Sequence, residues 1–239
     1  MCLCRTCGTI ERVSQQGSFT LAPSSLTDAL YESLRKRIIN GEIPAGEKLT
    51  EQRIANEYNV ARPTAKACLE RLTALGLLRR SAHKTAVVPE LDQDEIRDLF
   101  FSRRTVESAA VSVLAENKSI PADAAQAQAA VETAARDKVF ENQVEADIAF
   151  HSALVAGIGS RRLSRMHELI MGEVHLTMGQ FQAHRTTSPN TVAEEHAAIL
   201  ESIEAGDPEQ ARERIGHHLE QAQNRLLARL EAKSSETPK

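Results

Sequence analysis

The chain has 239 residues, enough for one or two domains that each have a core. Its 41% hydrophobic and 26% charged residues are typical of a soluble protein. The sequence shows no apolar run near the roughly 18 residues of a membrane helix and no apolar leader, so we expect a cytoplasmic protein without a membrane partner. The net charge of −4 is uneven, because residues 24–90 hold 11 Lys or Arg against 8 Asp or Glu, whereas residues 91–239 hold 16 against 24. This asymmetry predicts that only the N-terminal part faces nucleic acid.

Residues 1–23 show no periodic pattern and are predicted to be a flexible tail. The tail contains Cys2, Cys4 and Cys7, whose spacing offers three sulfurs to a metal but no nearby fourth ligand, so a plain tail is the favoured interpretation over a metal site. Cys68 lies on an apolar helical stripe and is predicted to be a core residue.

The segment 24–90 is predicted to be one domain that begins with an amphipathic helix. Its apolar stripe is Leu26, Leu30, Leu34 and Ile38. Arg35 and Arg37 lie off that stripe, and they suit a phosphate contact and a merely solvated face about equally well.

Two short helices with a tight turn follow, in "LTEQRIANEYNV" and "ARPTAKACLERLTALG", and this pattern indicates a helix-turn-helix. Pro63 suits the first turn of the second helix, and Gly76 ends it. The segment "LLRRSAHKTAVV" then predicts a two-stranded wing whose tip spans residues 81–85. The residues predicted to contact DNA are Arg35, Thr50, Arg62, Thr64, Lys66, His83 and Lys84.

The stretch "GEIPAGEKLTEQRIANEYNVARPTAKACLERLTALGLL" resembles the winged-helix domain of the GntR family of bacterial transcription regulators. The resemblance covers roughly residues 26–89 and implies a dimer on a pseudo-palindromic double-stranded operator. The chain departs from the family at Ala61, where a small hydroxyl residue would cap the second helix, and at Thr85, near which the wing usually has a glycine.

Residues 91–232 are predicted to be an antiparallel all-helical bundle, and residues 233–239 a disordered tail. Asp92 and Glu95 form a capping-box pattern at the first helix, which should run to about Glu116. Five more helices are expected near residues 121–137, 140–158, 160–182, 188–205 and 207–233, with Gly172 and Gly179 interrupting the third of these five. The fold class is therefore mainly α, a winged helix-turn-helix followed by a helical bundle.

Helical periodicity places four metal-binding side chains on inward faces of this bundle. Asp147 and His151 are one turn apart beside Leu154, His196 shares a stripe with Val192 and Ile199, and His218 shares one with Ile215, whereas His217 falls on a polar face. One carboxylate and three imidazoles in one interior suit a divalent metal, with zinc favoured over nickel or manganese. The alternative is four separate core residues, each with its own hydrogen bond.

Arg103 also faces inward, whereas Arg104 does not. A guanidinium beside a metal suits a small carboxylic acid, which it can bind in a bidentate manner, while the alternative is an internal ion pair with Glu107. His175 is predicted to line the same cavity, and His167 and His184 are predicted to be surface or packing residues.

The motifs "ADIAFH", "EEHAAILESIEAGDPEQAR" and "GHHLE", with an arginine four residues before a glutamate, resemble the FCD effector-binding domain of the FadR branch of the GntR family. The resemblance spans roughly residues 93–230 and implies metal ligands at Asp147, His151, His196 and His218. The hypothesis is a ligand-responsive repressor. A metal-only sensor and a metal-dependent hydrolase remain as alternatives, although no further inward carboxylate stands out as a general base.

Overall fold

The N-terminal part of the chain combines three helices with a small sheet. The computed structural model describes residues 26–80, 85–137, 140–181 and 188–236. The elements of this part are α1 (Leu26–Ile39), β1 (Lys48–Leu49), α2 (Glu51–Tyr58), α3 (Arg62–Ala74) and β2 (Ala86–Val87). The predicted core position of Cys68 is confirmed, since its side chain is fully buried. Leu26 is 60% exposed, contrary to the predicted stripe, because it is the first residue of α1 and reaches past the core.

The turn of the helix-turn-helix is set by its end residues. Thr50 caps α2 by accepting a hydrogen bond from the backbone N–H of Arg53, and Asn59 ends it in the left-handed conformation with a φ of 50°. Ala61 precedes α3 without any side-chain cap, as expected from the missing hydroxyl. α3 is therefore held by its buried face rather than by its N-terminus.

The described residues form a two-stranded sheet of β1 and β2, and one isolated bridge connects β2 to Arg79. Arg79 exchanges two backbone hydrogen bonds with Val87, which closes the base of the expected hairpin. β1, which the sequence pattern did not indicate, pairs antiparallel with β2, with Lys48 opposite Val87 and Leu49 opposite Ala86. Leu49 is thereby fully buried. The predicted tip residues His83 and Lys84 lie outside the described residues.

All regular elements among the described residues of the C-terminal part are helices. Its elements are α4 (Gln93–Glu116), α5 (Ala122–Asp137), α6 (Phe140–Gly157), α7 (Arg161–Phe181), α8 (Pro189–Ala205) and α9 (Pro208–Glu236). The capping box predicted at Asp92 and Glu95 is present. α4 packs along α9 and α5 along α6, and α8 lies against both α5 and α9. Within the described residues, no helix is long and apolar enough to cross a membrane.

The two glycines of α7 dock this bundle onto the N-terminal part. The prediction that they interrupt the helix is wrong, because α7 is continuous from residue 161 to residue 181. A Cβ on Gly172 would lie 1.8 Å from the carbonyl oxygen of Leu75 at the end of α3, and one on Gly179 would lie 1.7 Å from that of Ile39 at the end of α1. Only glycine permits such close approach of two backbones.

Candidate functional site

Four side chains from three helices meet inside the bundle. Asp147 and His151 come from α6, His196 from α8 and His218 from α9, and each of the four is at most 2% exposed. Each offers a ligand atom, and these atoms all lie within 4.8 Å of one another. The structure thus brings together the four residues that periodicity placed inside, and the predicted contrast with the exposed His217 is also confirmed.

Two carboxylates fix the orientation of two of these imidazoles. Nδ1 of His151 lies 2.7 Å from Oε2 of Glu107, and Nδ1 of His218 lies 2.7 Å from Oε2 of Glu195. A carboxylate accepts, so we assign the N–H of each ring to Nδ1. The two Nε2 atoms then carry lone pairs, yet they face each other at 3.2 Å. Two facing lone pairs repel unless a cation lies against both.

The third imidazole gives a second indication that a cation fits here. Both ring nitrogens of His196 are buried without a hydrogen bond in the described residues, and its Nε2 lies 3.4 Å from Oδ1 of Asp147. The ring of Phe150 stacks on it with centroids 4.0 Å apart and holds its plane. A buried nitrogen without a hydrogen bond costs free energy, and a divalent metal bound at Nε2 of His196 would offset that cost. The donor set therefore fits a metal ion.

The imidazoles of His151 and His196 are held in the uncharged form that metals require. Burial lowers the pKa of His151 to about 4, and the Arg103 guanidinium adds to this effect. Burial likewise lowers the pKa of His196 well below its usual value. At neutral pH both rings keep a lone pair for coordination.

Glu107 is the centre of the surrounding network. Its carboxylate accepts from Nε of Arg103 at 2.8 Å and contacts Nε2 of His167 at 2.9 Å, in addition to His151. Burial alone would raise the pKa of Glu107, but Arg103 and the two imidazoles hold it well below the usual value. The ion pair considered as the alternative for Arg103 is therefore present, while its Nη2 is buried without a hydrogen bond in the described residues.

His167 and Glu195 are functional candidates that sequence reasoning missed. His167 is a buried partner of Glu107 rather than a surface or simple packing residue. Glu195 directly precedes His196, but its partner is His218, 23 residues further along the chain. A pairing between two helices leaves no periodic signal. His184 lies outside the described residues.

The predicted DNA-contacting side chains of the described residues lie on the surface around α3. Arg62 is 66% exposed and pairs with Glu51 at 3.2 Å, and Lys66 is 55% exposed. Thr50 is exposed at the start of α2, and Thr64 is half-buried in the first turn of α3. These four residues are accessible to a duplex.

Arg35 and His175 contact each other. Neither has the surroundings of its predicted role, which is DNA contact for Arg35 and a place beside the metal ligands for His175. Arg35 lies 3.1 Å from Glu32 and 3.1 Å from Glu145 of α6, and its Nη1 donates to Nδ1 of His175 at 3.4 Å. We therefore leave Arg35 out of the DNA-contacting set. His175 lies beside Glu145 rather than among the four clustered ligands. Hydrogen bonding from His175 is the largest influence that lowers the pKa of Glu145 to about 2.

Comparison with known proteins gives consistent matches over both parts of the chain. Residues 26–88 match the bacterial regulatory proteins of the gntR family, and residues 98–221 match the FCD domain. The chain is 28% identical over 204 residues to the uncharacterized HTH-type transcriptional regulator BphR of Paraburkholderia xenovorans (strain LB400), covering 82% of this chain and 83% of that protein. It is 24% identical over 203 residues to a probable D-xylose utilization operon transcriptional repressor of Paenarthrobacter nicotinovorans, covering 83% and 88%. A crystal structure of a GntR regulator from Rhodococcus sp. RHA1 has a TM-score of 0.72 and 25% identity, covering 86% and 99%.

Proposed function

Because the chain belongs to the GntR family of bacterial transcription regulators and carries an FCD domain, we propose that it is a metal-assisted, ligand-responsive repressor of the FadR branch. The GntR part implies DNA binding and the FCD part implies a small-molecule effector. The observation that carries the finer proposal is the convergence of four buried ligand atoms within 4.8 Å of one another, with Nε2 of His151 and Nε2 of His218 only 3.2 Å apart. The family consists of regulators rather than enzymes, which removes the hydrolase alternative.

Asp147, His151, His196 and His218 would hold a divalent ion, with zinc favoured by three imidazoles and nickel or manganese as alternatives. The bound ion would supply open coordination positions to the oxygens of a small carboxylic acid. Glu107 and Glu195 keep His151 and His218 in the tautomer that points Nε2 into the cluster.

Arg103 supports the choice of a carboxylic acid as the effector. Its guanidinium is anchored to Glu107 through Nε, which leaves the buried Nη2 as a donor for a second carboxylate. The cluster is closed to solvent, so an organic acid can enter only when the surrounding helices move apart. Entry of the effector therefore requires the helices of the bundle to change position.

The bundle has a short physical connection to the DNA-binding part. α6 carries Asp147 and His151, and two residues before Asp147 it carries Glu145, which pairs with Arg35 of α1. A displacement of α6 would therefore act directly on α1. In a homodimer on a pseudo-palindromic operator, such a change would alter the spacing of two α3 helices and so the affinity for DNA.

Release from DNA by the effector is the direction we propose. The relative from Paenarthrobacter nicotinovorans is named as a repressor, which supports this direction. A metal-only sensor is the second candidate, because the four ligand atoms already lie within 4.8 Å of one another and are closed to solvent, so an ion needs no organic ligand to be bound there.

The test is a titration of the purified full-length protein with DNA from its own promoter region, followed by fluorescence anisotropy at fixed salt. Metal-loaded and chelated protein are compared, each with and without a panel of small carboxylates. The proposal expects tight binding by the loaded protein and release by one carboxylate only when metal is present. If metal alone abolishes or restores binding and no carboxylate acts, the metal-only sensor is correct.

Arg62→Ala should weaken binding to the operator by roughly tenfold to a hundredfold, the loss of about 1–3 kcal/mol expected for one base-contacting arginine. The melting temperature should hardly change, because Arg62 is exposed and its ion pair with Glu51 is a surface pair. Arg97→Ala is the matched control, since Arg97 is a similarly exposed arginine on α4. Equal affinities of wild type and Arg62→Ala would contradict the placement of α3 in the groove.

A further inference from the structure

A second cavity lies between the DNA-binding part and the bundle. It measures about 860 Å³, within the usual range of small-molecule sites, and is bounded by α1, α3, α6 and α7. Tyr31 and Arg71 line it from the N-terminal part, and Arg161, Arg165 and His175 from the bundle. None of the four clustered metal-binding residues lines it, so an occupant would not contact the cluster directly, although His167, the partner of Glu107, is also part of its lining.

Two positive charges at this cavity are placed unfavourably in the protein without a ligand. Arg161 and Arg165 are one turn apart at the beginning of α7, and neither has an ion pair or hydrogen bond with another described residue. Like charges four residues apart repel, and cations at a helix N-terminus oppose the helix dipole. No acidic residue in the first turn offsets them. An anion bound between them would relieve both effects.

Two stacked side chains of the N-terminal part give the cavity a flat surface. The guanidinium of Arg71 stacks over the ring of Tyr31 at 3.9 Å and is held there by Asp28 at 2.7 Å. His175, on the same helix as Arg165, is only 7% exposed and already has partners, because Arg35 donates to its Nδ1 and its Nε2 lies 3.4 Å from Glu145. The cavity thus combines the stacked pair with Arg161 and Arg165. Its other charged lining residues are Arg35, which pairs with Glu32 and Glu145, and the carboxylate of Glu168.

We propose that this cavity is a second effector site, which binds a small molecule bearing a phosphate group. The phosphate lies between Arg161 and Arg165, where bidentate guanidinium contacts and the α7 dipole act together. The organic part lies against the pair formed by Arg71 and Tyr31. Because residues of both α3 and α7 line the cavity, an occupant contacts the DNA-reading helix and the bundle at the same time.

The test uses inorganic phosphate and phenyl phosphate, titrated into the full-length protein by calorimetry at constant ionic strength. We expect saturable binding, tighter for phenyl phosphate, and a loss of at least tenfold in affinity for the double variant Arg161→Ala/Arg165→Ala. The matched control is Arg162→Ala/Arg97→Ala, which removes the same charge from exposed positions outside the cavity and should bind like wild type.

Several outcomes would overturn this second site. Equal losses of affinity in the two double variants would mean that the arginines attract anions nonspecifically. Equal affinities for benzoate and phenyl phosphate would mean that the site does not recognise phosphate. A fall in DNA affinity of Arg161→Ala/Arg165→Ala without phosphate present would assign the two arginines to DNA. Loss of phosphate binding on chelation would place the anion at the metal instead, and would leave the proposed function standing. Retention after chelation supports the separate site.

Discussion

Replacement of both His196 and His218 by alanine should abolish stoichiometric metal binding. Two of four ligands are lost, and the two that remain, Asp147 and His151, come from one helix and cannot enclose an ion. At a free metal concentration about 1,000 times Kd, binding stabilises the wild type by about 4 kcal/mol, which corresponds to about 10 °C in melting temperature. Elemental analysis and melting curves, recorded before and after chelation, measure both effects.

The control for this experiment is His217→Ala. His217 is adjacent to His218 but exposed, so this variant should keep one metal per chain and the full drop in melting temperature on chelation. The double variant should melt at the same temperature with and without chelator, and its DNA binding should not respond to carboxylates. Stoichiometric metal in the double variant would show that the ion is held elsewhere.

Glu107→Ala should destabilise the metal-free protein by about 3–5 kcal/mol, the typical loss when one partner of a buried ion pair is removed. The substitution leaves the guanidinium of Arg103 buried without its carboxylate, and removes the acceptor of both His151 and His167. Urea unfolding of chelated protein, followed by circular dichroism, measures the free energy of unfolding without any contribution from metal.

Asp94→Ala is the matched control for Glu107→Ala, since Asp94 forms an exposed ion pair with Arg97 and should change stability by less than about 1 kcal/mol. The two variants should also differ in acid. The pKa of Glu107 in the folded protein lies well below its ordinary value, so this carboxylate stabilises the fold above its unfolded pKa, and the contribution is lost as pH falls through the folded pKa. A loss of less than about 1 kcal/mol in Glu107→Ala would contradict the central role of this carboxylate.

The sequence was sufficient wherever a property depends on residues within one helix. The 3.6-residue period put Asp147 and His151 on one face, and separated His218 from His217, because neighbours in a helix point about 100° apart. The capping box at Asp92 and Glu95 is a contact between residues three apart. Local spacing determines such features, so the helical fold class and the inward positions of the clustered ligands could be predicted.

Only the tertiary structure determines which helices pack against each other and which side chains interact between them. The pairing of Glu195 with His218, the burial of His167 against Glu107, and the meeting of Arg35 with His175 join residues 23 to 140 positions apart. Gly172 and Gly179 resemble helix breakers in sequence, yet they are the points at which two backbones touch. Packing of one helix face against another sets these contacts, and a period read along one helix carries no information about its neighbour.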